Sequence, residues 1–454
     1  MPANKEITLV GAGPVGSLLA IFLAKRGHSV KIYERRPDMR QEKISAGRSI
    51  NLALSIRGLN ALRSVGLEKE VLAQSIPMKG RMMHAKDGAL TFQRYGRNDS
   101  EYINSVSRGD LNKLLMTTAE KTGNVEIIFN QKAVNADFAQ GTLHVHDEKT
   151  GAEKTVSARH LIGTDGSASV IRDEILKVTQ GEGTQEYLNY GYKELLLPAG
   201  AGGSFQIEKN ALHIWPRGTF MLIALPNLEG SFTCTLFLPM EGPLSFQSVT
   251  AREELRKLFN ENFADVVPFI PGLESEFFDN PTGRMVTVKT EPWNVKDRAL
   301  VIGDAAHAIV PFFGQGMNCG FEDCFVFDQM FSENASFENL FHEMSATRKT
   351  NTDAIADMAV ENFTEMRDKV GDARFLMEKS VERILQEKFP GDYISRYALV
   401  TFSQGPYRQA FDAGLIQNEI LRELCGKIQT AEQVDLALAE KLIQTKLKPL
   451  FKGN

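Results

Sequence analysis

The segment Gly11-Ala12-Gly13-Pro14-Val15-Gly16 constrains this chain more than any other. A short apolar run, Ile7–Val10, precedes it, and a helical apolar run, Ser17–Lys25, follows and is ended by Gly27. A second strand-like run, Val30–Tyr33, closes on Glu34, 18 residues after the last glycine. Strand, glycine turn, helix and strand in about 30 residues make the βαβ unit. Gly11 permits the tight turn, Gly13 lets a diphosphate approach the backbone, and Gly16 lets helix and strand pack closely. The helix start offers unpaired N–H groups and a positive dipole end to phosphates. Glu34 is placed to accept hydrogen bonds from ribose hydroxyls. A dinucleotide site is expected here.

No charged residue lies between Ile7 and Ala24, which by itself reads as a signal peptide or a membrane span. The glycines and Pro14 interrupt that run, and no small-residue cleavage site follows, so a buried strand and helix are expected instead. The C-terminal stretch Lys441 to Lys452 is charged. No membrane anchor is expected in this chain. Net charge is −5, which gives no electrostatic reason to expect nucleic acid. The four cysteines, at 234, 319, 324 and 425, lack the ligand spacing of a zinc site. The expectations are four reduced thiols, no metal and a cytoplasmic protein.

The 454 residues suffice for two or three packed units. Asn51–Val65 and Glu68–Gln74 read as helical pieces joined at Gly66. Val125–Phe129, Thr142–His146 and Lys154–Ser157 alternate as edge strands do, and Leu161–Gly163 is a short buried strand. From about 175 to 290 the pattern becomes that of an antiparallel sheet: Tyr187–Leu197, Leu212–Trp215, Phe220–Ala224 and Ser231–Leu238, with a helix at Ala251–Asn262. Ala299–Gly303 is another buried strand, and a helix runs from about Gly316 to Phe331. Beyond Phe337 the pattern is helical. The fold class is α/β. The expected division is 1–175 and 291–335 for the two parts of the nucleotide domain, 176–290 for a substrate domain, and 336–454 for a helical region.

Two more motifs carry chemistry. Gly163-Thr164-Asp165-Gly166 puts an acid and a glycine at a strand end. Gly303-Asp304-Ala305-Ala306-His307 is followed by Pro311-Phe312-Phe313-Gly314-Gln315-Gly316-Met317-Asn318. Asp304 is placed to bind a sugar-chain hydroxyl. The N–H groups leading from Gly314 to Asn318 are placed to face a developing negative charge. His307 reads as a structural residue at a strand–helix junction.

These three motifs, in this order, resemble the fingerprints of the single-component flavin-dependent aromatic hydroxylases. The resemblance implies the para-hydroxybenzoate hydroxylase-like fold: an FAD-binding βαβ domain, an inserted antiparallel-sheet substrate domain and a C-terminal helical region. It implies FAD bound by Gly11, Gly13, Gly16, Glu34, Arg35, Arg108, Asp165, Asp304, Gly316, Met317 and Asn318, with NADPH and O2 as co-substrates and no separate NADPH domain. The runs Gly47 to Ser55, His213-Ile214-Trp215-Pro216-Arg217, Phe232 to Phe237 and Gly303 to Asp323 are similar to those of the kynurenine 3-monooxygenases, over about residues 5 to 405. The chain resembles the soluble bacterial form.

That narrower resemblance implies L-kynurenine as substrate and oxygen transfer from a flavin C4a-hydroperoxide to the carbon ortho to the aryl amine. A carboxylate wants the bidentate fork of an arginine. The resemblance makes Arg81 that donor, with Tyr95, Asn362 and Tyr397 as polar neighbours; from sequence alone Arg81 and Tyr95 read as a solvated surface pair. Met221, Ile223, Leu225, Phe237, Phe312 and Met366 are candidate walls for the ring, or plain core. Pro311, Phe312 and Gln315 are expected to close the cavity and exclude water. A related hydroxylase with another substrate, and a flavin-binding regulator without turnover, remain the alternatives.

Overall fold

The computed structural model describes residues 6–41, 51–334, 336–368 and 373–451, the side chains of 366–368 excepted. The run from Gly47 to Ile50 and the side chain of Met366 lie outside the described residues. The chain divides into two compact units. The first comprises Met1–Ser75, Val106–Leu188 and Gly283–Ala356; the second comprises Ile76–Ser105, Asn189–Thr282 and Asp357–Asn454.

The first unit is built on a six-stranded sheet. Its order is Asn294–Val295, Ala299–Val301, Leu161–Gly163, Glu6–Val10, Ser29–Glu34, Val125–Phe129. All neighbours are parallel except the first pair. Parallel strands are covered on both faces, so they read as continuous apolar runs. The helix Pro14–Lys25 starts with Pro14 in its first turn, where a missing N–H costs nothing. It is buried from Gly16 to Ala24, which explains why that stretch carries no charge. The helix Gly316–Glu333 buries Phe321, Cys324 and Phe327 in the same core. Gln131–Asp137, Thr142–Asp147 and Glu153–Ser157 form a separate antiparallel sheet. The expected helix at Asn51–Val65 starts late: Asn51–Leu54 is a strand, and Ile56–Val65 is the helix, ended by Gly66 in the left-handed region.

The second unit carries a larger sheet. In order, its strands are the part of Glu182–Leu197 from Asn189 onward, then Phe232–Pro239, Met221–Pro226, Ala211–Pro216, Gly80–His84 and Leu90–Arg94. The antiparallel meander agrees with the expected strands. The last two strands were not expected, and their segment, 76–105, packs with this unit although it falls inside the expected 1–175 domain. Leu90–Arg94 is exposed along its whole length, so it has no buried face to impose alternation. One face of the sheet packs on the helix Arg252–Asn262 through Leu255, Leu258 and Phe259. The helices Ala373–Lys388, Arg396–Phe402, Tyr407–Cys425 and Leu436–Leu442 also belong here. No helix of the described residues is long and apolar enough to cross a membrane.

Candidate active site

In the first unit the glycine turn sits where the sequence put it. Gly11 has φ +98, and a Cβ there would lie 2.6 Å from the Thr164 carbonyl. A side chain at Gly16 would run into the Gly11 carbonyl and the Thr164 hydroxyl. Gly13, by contrast, has open space beside it, as a diphosphate requires. Glu34 is buried, and its carboxylate accepts from the Ala12 N–H at 2.8 Å and the Arg36 N–H at 2.9 Å. The acid therefore holds the turn, and its remaining lone pairs stay available to a ribose. Arg35, Arg36 and Arg108 are all exposed, and partial desolvation together with the Arg35 and Arg108 charges lowers the Arg36 pKa. This positive patch suits a diphosphate. Sequence reading passed over Arg36 and also Asn112, whose amide donates to the Ala12 carbonyl at 3.1 Å. A lone polar residue inside a helix carries no local signal of such a role.

Asp165 caps the helix Val170–Thr179. Its carboxylate accepts from Ser169 Oγ at 2.6 Å and Val170 N–H at 2.8 Å. Asp304 differs: it is exposed, and among the described residues no hydrogen bond or ion pair engages its carboxylate. Pro311–Phe313 forms a turn of 3-10 helix, and Gly314 reverses the chain at φ +67. Gln315 is buried and stands immediately before the helix that begins at Gly316; Phe312 and Met317 are half-buried. Asn318 is fully buried. It accepts from Ser55 N–H at 2.9 Å and donates to the carbonyls of Ala53 at 2.8 Å and Gly314 at 3.0 Å, so it shapes the loop. The open space at Gly13, the arginine patch and the unengaged Asp304 fit the two ends of FAD.

His307 lies in a buried ion-pair cluster. Its Nε2 is 2.5 Å from Asp323 Oδ2, and Arg348 Nε donates to Asp323 Oδ1 at 2.8 Å. Burial opposes charge on the ring, but the Asp323 carboxylate overcomes it and holds the imidazole well above its ordinary value. His307 is thus buried in an ion pair at the strand–helix junction.

In the second unit Arg81 lies in the strand Gly80–His84 and is partly buried. Its guanidinium stands 5.2 Å from the Tyr95 ring and 4.8 Å from the Tyr397 ring. The two rings are 13° from parallel, with centroids 5.6 Å apart. Burial works against its charge, and the two phenols more than offset this, so its pKa is raised. Among the described residues no carboxylate pairs with it. The arrangement is a cation framed by two aromatic donors, ready for an external anion. Met221 and Phe237 face each other across neighbouring strands. They line a small pocket with Tyr190, Phe220 and Phe363; Tyr190 meets Phe363 edge-on at 4.8 Å. Asn362 immediately precedes Phe363 in the helix Phe337–Asp368. Tyr190 and Phe363 were missed, because an aromatic in an apolar stripe looks like any core residue.

The run His213 to Arg217 has a distinct place. His84 Nε2 is 2.8 Å from His213 Nδ1, and His84 Nδ1 is 2.8 Å from Asp265. Trp215 donates to Asp265 at 2.8 Å and stacks on His84 at 3.9 Å. Arg217 donates to the carbonyls of His84 at 2.9 Å and Asn262 at 2.5 Å. This cluster anchors the end of the strand that carries Arg81.

Residues 4–333 match the family model described as FAD binding domain. The chain is 57% identical to kynurenine 3-monooxygenase of Myxococcus xanthus, over 100% of this chain and 98% of that one. It is 46% identical to kynurenine 3-monooxygenase of Dictyostelium discoideum, over 97% and 98%. Solved structures share the fold. 2-Methyl-3-hydroxypyridine-5-carboxylic acid oxygenase gives a TM-score of 0.66 at 21% identity, covering 81% of this chain and 94% of that one. p-Nitrophenol 4-monooxygenase from Pseudomonas putida gives 0.63 at 18%, covering 93% and 98%. At these identities the structures speak for the fold alone, which is the para-hydroxybenzoate hydroxylase-like fold expected from the motifs.

Proposed function

The chain belongs to the kynurenine 3-monooxygenase family of FAD-dependent hydroxylases, and on that premise we propose that it hydroxylates L-kynurenine to 3-hydroxykynurenine with NADPH and O2. The observation that carries this reading is Arg81, a guanidinium framed by Tyr95 and Tyr397 that no carboxylate of the described residues pairs with. Kynurenine presents one carboxylate for that fork and one aryl ketone for an apolar slot.

Gly11, Gly13, Gly16, Glu34, Arg35, Arg36 and Arg108 would hold the ADP half of FAD, and Asp304 its sugar chain. Gly316, Met317 and Asn318, at the start of their helix, would take the ring end, and Asp165 keeps the strand end in shape. The chemistry supplied by the bound cofactor is activation of O2, with electrons from NADPH. The work of the chain is to bind, orient and exclude water. Arg81 and Tyr95 clamp the carboxylate, Tyr397 and Asn362 support them, and Met221 and Phe237 shape the slot. The amine of the substrate activates its own ring carbon, so no protein base is needed. Pro311, Phe312 and Gln315 are assigned the exclusion of water. Four buried free thiols accord with a reducing compartment, the cytoplasm.

Product analysis decides the matter. Purified holoenzyme with L-kynurenine, NADPH and O2 should yield 3-hydroxykynurenine. A flavin that NADPH reduces without forming that product would refute the substrate.

A further inference from the structure

Asp304 is the exposed acid expected to meet FAD, yet nothing among the described residues holds its side chain. Its position depends on the backbone around it. Gly303, the residue before it, has φ +61 and ψ −147, a conformation open essentially to glycine alone. A Cβ there would also press on Val15 at 3.1 Å. Such a peptide persists only when its surroundings hold it. What holds it is Asp323, 20 residues on, in the helix Gly316–Glu333.

Asp323 Oδ2 accepts from the Gly303 N–H at 3.0 Å. The same oxygen is 2.5 Å from His307 Nε2. Gly303 and His307 bracket the one-turn helix Asp304–His307. One carboxylate thus grips the segment at both ends, with Asp304 between the grips. Asp323 is itself immobilised: it is fully buried, and its other oxygen accepts from Arg348 Nε at 2.8 Å. Arg348 also pairs with Glu322 at 2.8 Å, and Glu322 with Arg57 at 2.5 Å. Trp293 stacks on the His307 ring at 5.3 Å and closes its face. Burial alone would raise the Asp323 pKa, but His307 and Arg348 bring it below the ordinary carboxylate value. The cluster resembles a metal site in having His307, Cys319 and Asp323 together. The Arg348 guanidinium already supplies the cation, with a nitrogen 3.7 Å from Cys319 Sγ.

We propose that Asp323 is a cofactor-positioning residue: it fixes the Gly303 peptide and the His307 ring, and thereby sets where the Asp304 carboxylate meets FAD. The helix that carries Asp323 begins at Gly316, so the same side chain ties the two FAD-facing elements, Asp304 and the helix start, into one piece. This rests on the reading of Asp304 as an FAD ligand.

The test is a double-mutant cycle on FAD affinity, read by flavin fluorescence on apoprotein, with apoprotein melting as the check on folding. Asp304→Asn and Asp323→Asn should each weaken FAD by about tenfold, the cost of one charge-assisted hydrogen bond. The double variant should lose little more than either single one, because both act through one contact. Additive losses, about a hundredfold, would overturn the positioning role and leave Asp304 as a ligand. Full affinity in Asp304→Asn would instead refute Asp304 as a ligand, and the proposal with it. His307→Gln, which keeps an N–H donor toward Asp323, should bind FAD within about threefold of the parent, and His307→Leu should weaken it as Asp323→Asn does. Equal affinity of those two variants would also overturn the proposal.

Discussion

Arg81 bears the substrate assignment, and its environment makes the consequence of changing it specific. Burial pushes the phenols of Tyr95 and Tyr397 up, so both remain neutral donors across the working pH range. Among the described residues, the charge offered to a ligand there is the Arg81 guanidinium. Arg81→Lys keeps that charge but loses the planar fork, and KM for L-kynurenine should rise about tenfold, or 1.4 kcal/mol. Arg81→Met removes the charge and should raise KM by about a hundredfold, within the 2–5 kcal/mol range of a lost buried pair. Steady-state kinetics with FAD content held equal measures both; an unchanged KM would remove Arg81 from the site. The residue types named from the glycine turn were legible because steric demands there admit one residue only. Asn112 and Asp323 were not legible, because their roles are hydrogen bonds to residues 100 and 20 positions away, and Arg36 carries no local sign of the positive patch it joins.

At the scale of the element, the strand Gly80–His84 is the telling case. It carries Arg81 at one end and His84 at the other, and pairs in parallel with Ala211–Pro216, Met82 opposite His213. Parallel pairing of strands so far apart in the chain is a tertiary event. Alternation could not announce it, since the partner strand Leu90–Arg94 lies in solvent. The histidine cluster at its end has a pH signature. Burial lowers His213 from its ordinary 6.5 to about 4. A base whose folded pKa is depressed stabilises the fold fully above its unfolded pKa. That contribution declines as pH falls below about 6.5 and is gone below about 4, a loss on the order of 3 kcal/mol. Urea midpoints between pH 7.5 and 4 should therefore fall, and His213→Gln should flatten the decline. An identical slope in the variant would show that the acid sensitivity lies elsewhere.

For the whole molecule, the quantity that matters is coupling: NADPH consumed for hydroxylated product rather than for hydrogen peroxide. If Gln315 serves to exclude water, Gln315→Ala should release more hydrogen peroxide per NADPH while substrate still stimulates NADPH oxidation. Unchanged coupling would remove that role. The glycine turn, the buried helix after it, the parallel strands and the meander were all readable in the amino-acid order. Each depends on local sterics or on a short repeat of burial, and both leave a pattern within a dozen residues. The family, too, was carried by contiguous runs. Tertiary structure alone decided that 76–105 joins the sheet of the second unit, that Tyr95 and Tyr397 frame Arg81, and that Asp323 grips Gly303 and His307. Those are pairings of distant residues whose energy comes from desolvation and hydrogen-bond geometry in the folded state, and no local pattern encodes either.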